Sequence, residues 1–161
     1  MESLIAYLPT DRRHALARGE PLPDRTRGTA LFVDISGFTP MAGALVRDLG
    51  PQRGAEQLTR HLNQVYDVLV ADLDRFGGSL IGFSGDAITC WFEADAGLTA
   101  AGCALAMQES MREFAAVALP SGGQVSLAAK AGMATGEVRR FVVGDPEQQL
   151  FDVLHVVGMA V

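Results

Sequence analysis

The sequence predicts an α+β domain in which helices cover one face of a mostly antiparallel sheet, and three observations carry that expectation. An apolar, strand-like run, Thr29-Ala30-Leu31-Phe32-Val33, ends on a carboxylate, Asp34, and turns through Ser36-Gly37 into a helix start. Apolar residues then recur at helical spacing, Leu58, Leu62, Val65, Tyr66, Leu69 and Leu73, with charges on the opposite side. Two short apolar runs, 79–84 and 87–92, flank a tight Gly85-Asp86 and read as a β-hairpin.

In chain order, 10–18 can form a short helix closed at Gly19, and 20–27 is a proline-containing connector. The first strand spans about 28–35. A helix follows with Thr39 as N-cap and Pro40 at its first position, Met41, Leu45 and Leu49 on one face, and Gly50-Pro51 as its stop. The long helix spans about 54–75 and halts at Phe76-Gly77-Gly78. After the hairpin a third main helix covers about 95–118, its Ala100, Ala101, Gly102 and Ala104 small enough to lie close on a sheet. A loop at 120–123 leads to three more strands, 124–133, 136–143 and 150–157, the last two separated by a turn at Gly144-Asp145-Pro146. The order β-α-α-β-β-α-β-β-β suggests a ferredoxin-like βααββαβ core.

At 161 residues the chain fits one domain, and its 48% hydrophobic and 20% charged content is that of an ordinary globular protein. A net charge of -6 with no basic stripe argues against non-specific nucleic-acid binding, though not against a nucleotide held through a metal. No apolar run reaches the roughly 18 residues of a membrane span, and no signal peptide is expected, which points to the cytoplasm. Cys90 and Cys103 fall in an apolar strand and an alanine-rich helix, so buried free thiols are expected.

Asp34 and Asp86 differ from the other acids because each follows an apolar run and sits at a strand tip or turn. A carboxylate there either caps the turn or is compensated by a cation. Asp34 beside a helix N-terminus could hold a hard cation while the amides of Gly37, Phe38 and Thr39 face an anion, the local chemistry of a metal–phosphate site. His14, His61 and His155 have no zinc spacing, and no G-x-S-x-G elbow is present. Phe83 stands where the lysine of a P-loop would be, so that motif fails. Lys130 reads as a snorkelling edge charge rather than a phosphate ligand.

These residues resemble a family. Phe32-Val33-Asp34-Ile35-Ser36-Gly37-Phe38-Thr39 is similar to the D-I-x-G-F-T signature of class III adenylyl/guanylyl cyclase catalytic domains. Gly77-Gly78-Ser79-Leu80-Ile81-Gly82-Phe83-Ser84-Gly85-Asp86-Ala87 resembles that family's Gly-Gly…Gly-Asp-Ala hairpin. Ala131-Gly132-Met133-Ala134-Thr135-Gly136 and Val156-Val157-Gly158-Met159-Ala160-Val161 resemble two further segments, in the right order. The Phe83-Ser84-Gly85-Asp86 wording and the Gly144-Asp145-Pro146-Glu147 turn look most like the first cyclase domain of soluble multidomain adenylyl cyclases, which favours an adenylyl over a guanylyl cyclase, while the residues that choose the base leave ATP and GTP both open.

The resemblance implies an N-terminal helix and connector at 1–27 and a cyclase catalytic domain at 28–161, ending before the helix that carries the family's Asn and Arg. It implies that Asp34, the Ile35 carbonyl and Asp86 hold two Mg²⁺ or Mn²⁺ ions, and that Gly37, Phe38 and Thr39 cradle the triphosphate of ATP or GTP. Gly82 stands where the family has its base-reading lysine, and Asp152 or Val153 at the partner position. The expected molecule is therefore the metal-binding half of a dimeric site in intracellular signalling, completed by a second cyclase domain in cis or trans, a homodimer included. The isolated chain is expected to be inactive. A catalytically inert regulatory or dimerisation domain of the same fold is the alternative, and an unrelated ferredoxin-like binding module the second.

Overall fold

The computed structural model describes residues 8–145 and 150–157. Helix α1 (Thr10–Arg18) closes on Gly19, whose left-handed backbone (φ 68°) lets its amide reach back to the last turn. Strand β1 (Arg25–Ser36) is longer than the expected 28–35, because its first residues pair with a strand contributed from the far end of the chain. Helices α2 (Phe38–Leu49) and α3 (Pro51–Arg75) follow, then the hairpin of β2 (Ser79–Ser84) and β3 (Ala87–Glu93). Helix α4 is Leu98–Ser110, and a small ribbon of β4 (Val117–Ala118) and β5 (Gln124–Val125) leads into β6 (Ala128–Asp145) and β7 (Leu150–Val157).

The main sheet has the order β2-β3-β1-β6-β7, and every pairing in it is antiparallel. The ladder β2-β3-β1-β6 with two helical crossovers is the ferredoxin-like arrangement that the element order suggests. One face of the sheet makes the core. Leu31, Val33 and Ile35 of β1 alternate with outward residues and join Ile88, Cys90 and Phe92 of β3. Against them pack Met41 and Leu45 of α2, Val65, Leu69 and Leu73 of α3, and Ala100, Cys103 and Met107 of α4.

Four expectations need correction. Helix α2 is capped by Gly37 (φ 92°) rather than Thr39, so Pro40 occupies the third helical position, where its missing N–H still costs no intrahelical bond. A β-carbon on Gly37 would lie 2.1 Å from the carbonyl oxygen of Ser126, so the chain turns where only glycine fits. Helix α3 starts at Pro51, not residue 54, since a proline is preorganised for the first helical position. The expected 95–118 helix is shorter: Asp95 caps α4 through the amides of Thr99 and Ala100, and Met111–Phe114 tightens into a 3₁₀ turn. The two expected strands 124–133 and 136–143 are largely one, β6, which runs unbroken through Thr135-Gly136 beside β1.

Among the described residues, α1 and the connector after it cover one end of the opposite sheet face. Arg140 of β6 is buried there and bonds Glu93 of β3 at 2.8 Å, Asp11 of α1 at 3.3 Å and the Pro23 carbonyl at 3.3 Å. Glu93 also accepts hydrogen bonds from Thr26 and, at 2.6 Å, from the Trp91 indole, which lies over Gly28. Burial alone would raise the Glu93 carboxyl, but these donors and the Arg140 charge outweigh it and hold the carboxyl below its ordinary value.

Candidate functional site

Strand β1 delivers Asp34 to the rim of the sheet at the point where α2 begins. The β1–β3 register sets Asp34 opposite Ala87, so Asp86, in the two-residue turn between β2 and β3, is the next residue along the neighbouring strand. The Ile35 amide donates to the Asp86 carbonyl oxygen at 3.0 Å, which ties that turn to the end of β1. Both aspartates are half-buried. The two acids that the sequence singles out are thus brought to one rim by a register that no local motif specifies.

The amides of Gly37, Phe38 and Thr39 open α2 on the same rim, and the first four N–H groups of a helix lack intrahelical partners. Ser36 donates to the Ala128 carbonyl at 3.1 Å, pinning the start of β6 beside that helix end. Lys130 of β6 lies directly opposite Asp34 in the ladder and is exposed. It is the only lysine in the chain, since the other basic residues are arginines. Edge position is as expected for Lys130, because β7 pairs with β6 only from Val138 onward; its place beside Asp34 is what single-residue reasoning missed.

The row next to this rim runs across the outer face as Gly82, Thr89, Phe32 and Gly132. Register slips between Leu80 and Gly82, a bulge in β2. A β-carbon added at Gly82 or Gly132 would touch nothing, and Phe32 is 48% exposed, so this part of the sheet face is open. Asp152 and Val153 are not brought here. Their backbone pairs with Val143 and Val142, on the part of β6 that has run past β1 at the other end of the sheet. The Pro146-Glu147 half of the expected turn and 158–161 lie outside the described residues.

Tyr66 of α3 touches the same turn: its hydroxyl donates to the Gly85 carbonyl at 2.9 Å, and its ring meets Phe83 edge-on with centroids 4.8 Å apart. Burial, and then the charge of Asp86, raise the Tyr66 hydroxyl above its ordinary value, so it stays a donor. Cys90 and Cys103 are buried free thiols, pushed up by burial to about 12 and about 11 respectively, and offer no nucleophile.

Among the described residues no group of three or more His, Cys, Asp or Glu could hold a metal. The donor set of this rim is two carboxylates and backbone oxygen. That set does not suit zinc or a calcium cage, but it fits Mg²⁺, which keeps several waters and is held by one or two carboxylates together with substrate phosphates. Among the described residues no helix is long and apolar enough to cross a membrane.

Comparisons with known proteins extend this geometry. No protein-family model matches the chain. It is 31% identical over 166 residues to adenylate cyclase type 10 of Rattus norvegicus, an alignment covering 98% of this chain and 10% of that protein. The human adenylate cyclase type 10 is 41% identical over 68 residues, 42% of this chain and 4% of that protein. The chain thus spans about a tenth of the length of the curated relatives it matches. Among solved structures, a bacterial light-regulated adenylyl cyclase superposes with a TM-score of 0.74 at 17% identity, over 96% of this chain and 44% of that one. The guanylyl cyclase Cya2 superposes with a TM-score of 0.64 at 26% identity, over 83% of this chain and 65% of that one.

Proposed function

We propose a function from one premise: the chain belongs to the class III nucleotidyl cyclase family. On that premise it contributes half of a site that converts a nucleoside triphosphate, ATP in preference to GTP, into a 3′,5′-cyclic nucleotide and pyrophosphate. One observation carries the reading. Asp34, Asp86 and the opening amides of α2 converge on one rim beside an open sheet face.

In this proposal Asp34 and Asp86, with the Ile35 carbonyl, hold two Mg²⁺ or Mn²⁺ ions. When bound, such ions supply Lewis acidity at the ribose 3′-hydroxyl and at the phosphates. The amides of Gly37, Phe38 and Thr39 orient the β and γ phosphates, since helix N-termini favour anions. The Lys130 ammonium adds a cation one strand away from Asp34, placed to neutralise charge on the phosphate chain. A second cyclase domain, in cis or trans, closes the open face and supplies the groups that read the base. Buried, unpaired Cys90 and Cys103 suit a cytoplasmic setting.

The test is cyclic-nucleotide production with Mn²⁺ and ATP by this chain together with a second cyclase domain. Asp34→Ala and Asp86→Ala are each expected to lower turnover at least about 10²–10³-fold while the circular dichroism spectrum stays native. Full activity in both variants would overturn the metal assignment. Gly82 favours a second reading, a domain that binds nucleotide without turnover, because glycine offers no side-chain donor to a base. Nucleotide binding with no product in the mixture would select it.

A further inference from the structure

We propose that Tyr66 is a positioning residue for Asp86, holding its turn in the orientation in which the carboxylate shares a cation with Asp34; this rests on the metal reading above. Asp86 sits in a two-residue turn whose first member, Gly85, has a left-handed backbone (φ 65°). The Asp86 carbonyl is held by the Ile35 amide of β1 at 3.0 Å, and the Gly85 carbonyl by the Tyr66 hydroxyl of α3 at 2.9 Å. After the bulge between Leu80 and Gly82 the ladder resumes and pairs Ser84 with Ala87, which closes the hairpin at its base; the Tyr66 hydroxyl adds a tie from outside the sheet to the Gly85 carbonyl.

Tyr66 can do this because α3 is itself anchored. Its neighbours Val65 and Leu69 are 1% and 0% exposed in the core, and the Tyr66 ring rests edge-on against Phe83. A phenylalanine at 66 would keep the ring contact and lose only the hydroxyl. The hydroxyl therefore acts on the turn, and through the turn on the angle of the Asp86 carboxylate. Cation sites tolerate only about 0.5 Å of such drift.

The test uses the 161-residue chain, isotope-labelled, titrated with Mn²⁺ while paramagnetic broadening of backbone amide signals is followed. In the wild type, broadening is expected to begin at the amides around Asp34 and Asp86. Tyr66→Phe should need roughly threefold to tenfold more Mn²⁺ for the same broadening, the effect of one lost hydrogen bond. Its melting temperature should stay near the wild-type value, and the Ile35 amide should exchange faster. Asp86→Ala should abolish the local broadening. Equal broadening in Tyr66→Phe and the wild type, with Asp86→Ala silent, would overturn the role of Tyr66 and leave the metal reading standing. Broadening unchanged in Asp86→Ala, or none near the aspartates in the wild type, would overturn the metal reading and the proposal with it. If Tyr66→Phe unfolds, Phe83→Leu, which removes the ring contact and keeps the hydroxyl, must leave Mn²⁺ affinity within twofold, and a larger change would also overturn the proposal.

Discussion

Gly37 concentrates two demands that only glycine meets, a left-handed backbone at φ 92° and the close approach of the Ser126 carbonyl. A β-carbon there adds about 1–2 kcal/mol of backbone strain, and the backbone shift needed to clear Ser126 adds a further 1–3 kcal/mol. Gly37→Ala is therefore expected to lose about 2–5 kcal/mol in a urea titration, and a loss below about 1 kcal/mol would mean the turn can reopen freely. At this scale the sequence exposed Asp34 and Asp86, because a charge at the end of an apolar run is locally conspicuous. It misplaced the cap on Thr39, because the reason for Gly37 is a backbone atom almost ninety residues further on. Lys130 was visible as a residue, but its position opposite Asp34 is a matter of register.

At the scale of elements, α3 was legible because its period of apolar residues is long and regular, and its burial is graded along its length. Leu69 and Leu73 are fully buried, whereas Leu58 and Leu62, nearer its start, are half-buried. Leu69→Ala should cost about 2–5 kcal/mol, and Leu62→Ala clearly less, under about 2 kcal/mol, because truncation there opens toward solvent and leaves little cavity. Equal losses in denaturant titrations would mean that the helix is rotated. In sequence β6 looks like two strands because Thr135-Gly136 resembles a break. In the fold Thr135 shares a hydrogen bond with Thr29 at 2.8 Å, and Gly136 lies opposite Gly28, so the ladder passes through.

The anchor of α1 is an element-scale device with a pH signature. Glu93, half-exposed, is held below its ordinary value of 4.5 despite partial desolvation, by donors from Thr26, Trp91 and Arg140. A carboxyl depressed in the folded state stabilises it above the unfolded value and loses that contribution as pH falls through the folded one. Stability should thus be flat near neutrality and decline on acidification below about pH 4.5, less steeply in Glu93→Gln. Chemical denaturation at a series of pH values measures the slope, and identical slopes would show that Arg140 does not hold this carboxylate.

For the molecule as a whole, the groups proposed to handle phosphate stand on one rim, and among the described residues nothing covers the adjoining sheet face. α1 and its connector shield the end with Trp91, Glu93 and Arg140, but Phe32, Thr89, Gly82 and Gly132 face solvent. A nucleotide seated against that face would have protein on one side and water on the other, which weakens every charge interaction that could stabilise a transition state. Gly82 adds no side-chain donor. We therefore expect the chain alone to bind Mn²⁺–ATP weakly and to make no measurable cyclic nucleotide, while addition of a second cyclase domain produces turnover that saturates with the concentration of that domain. Phe32→Asp, on the open face and away from the core, should leave the fold of the isolated chain intact and raise the partner concentration needed for half-maximal activity at least tenfold, since an unpaired charge would be buried on docking. Activity of the isolated chain equal to that of the mixture would mean that one rim suffices, and an unchanged partner requirement in Phe32→Asp would mean that the second domain docks elsewhere.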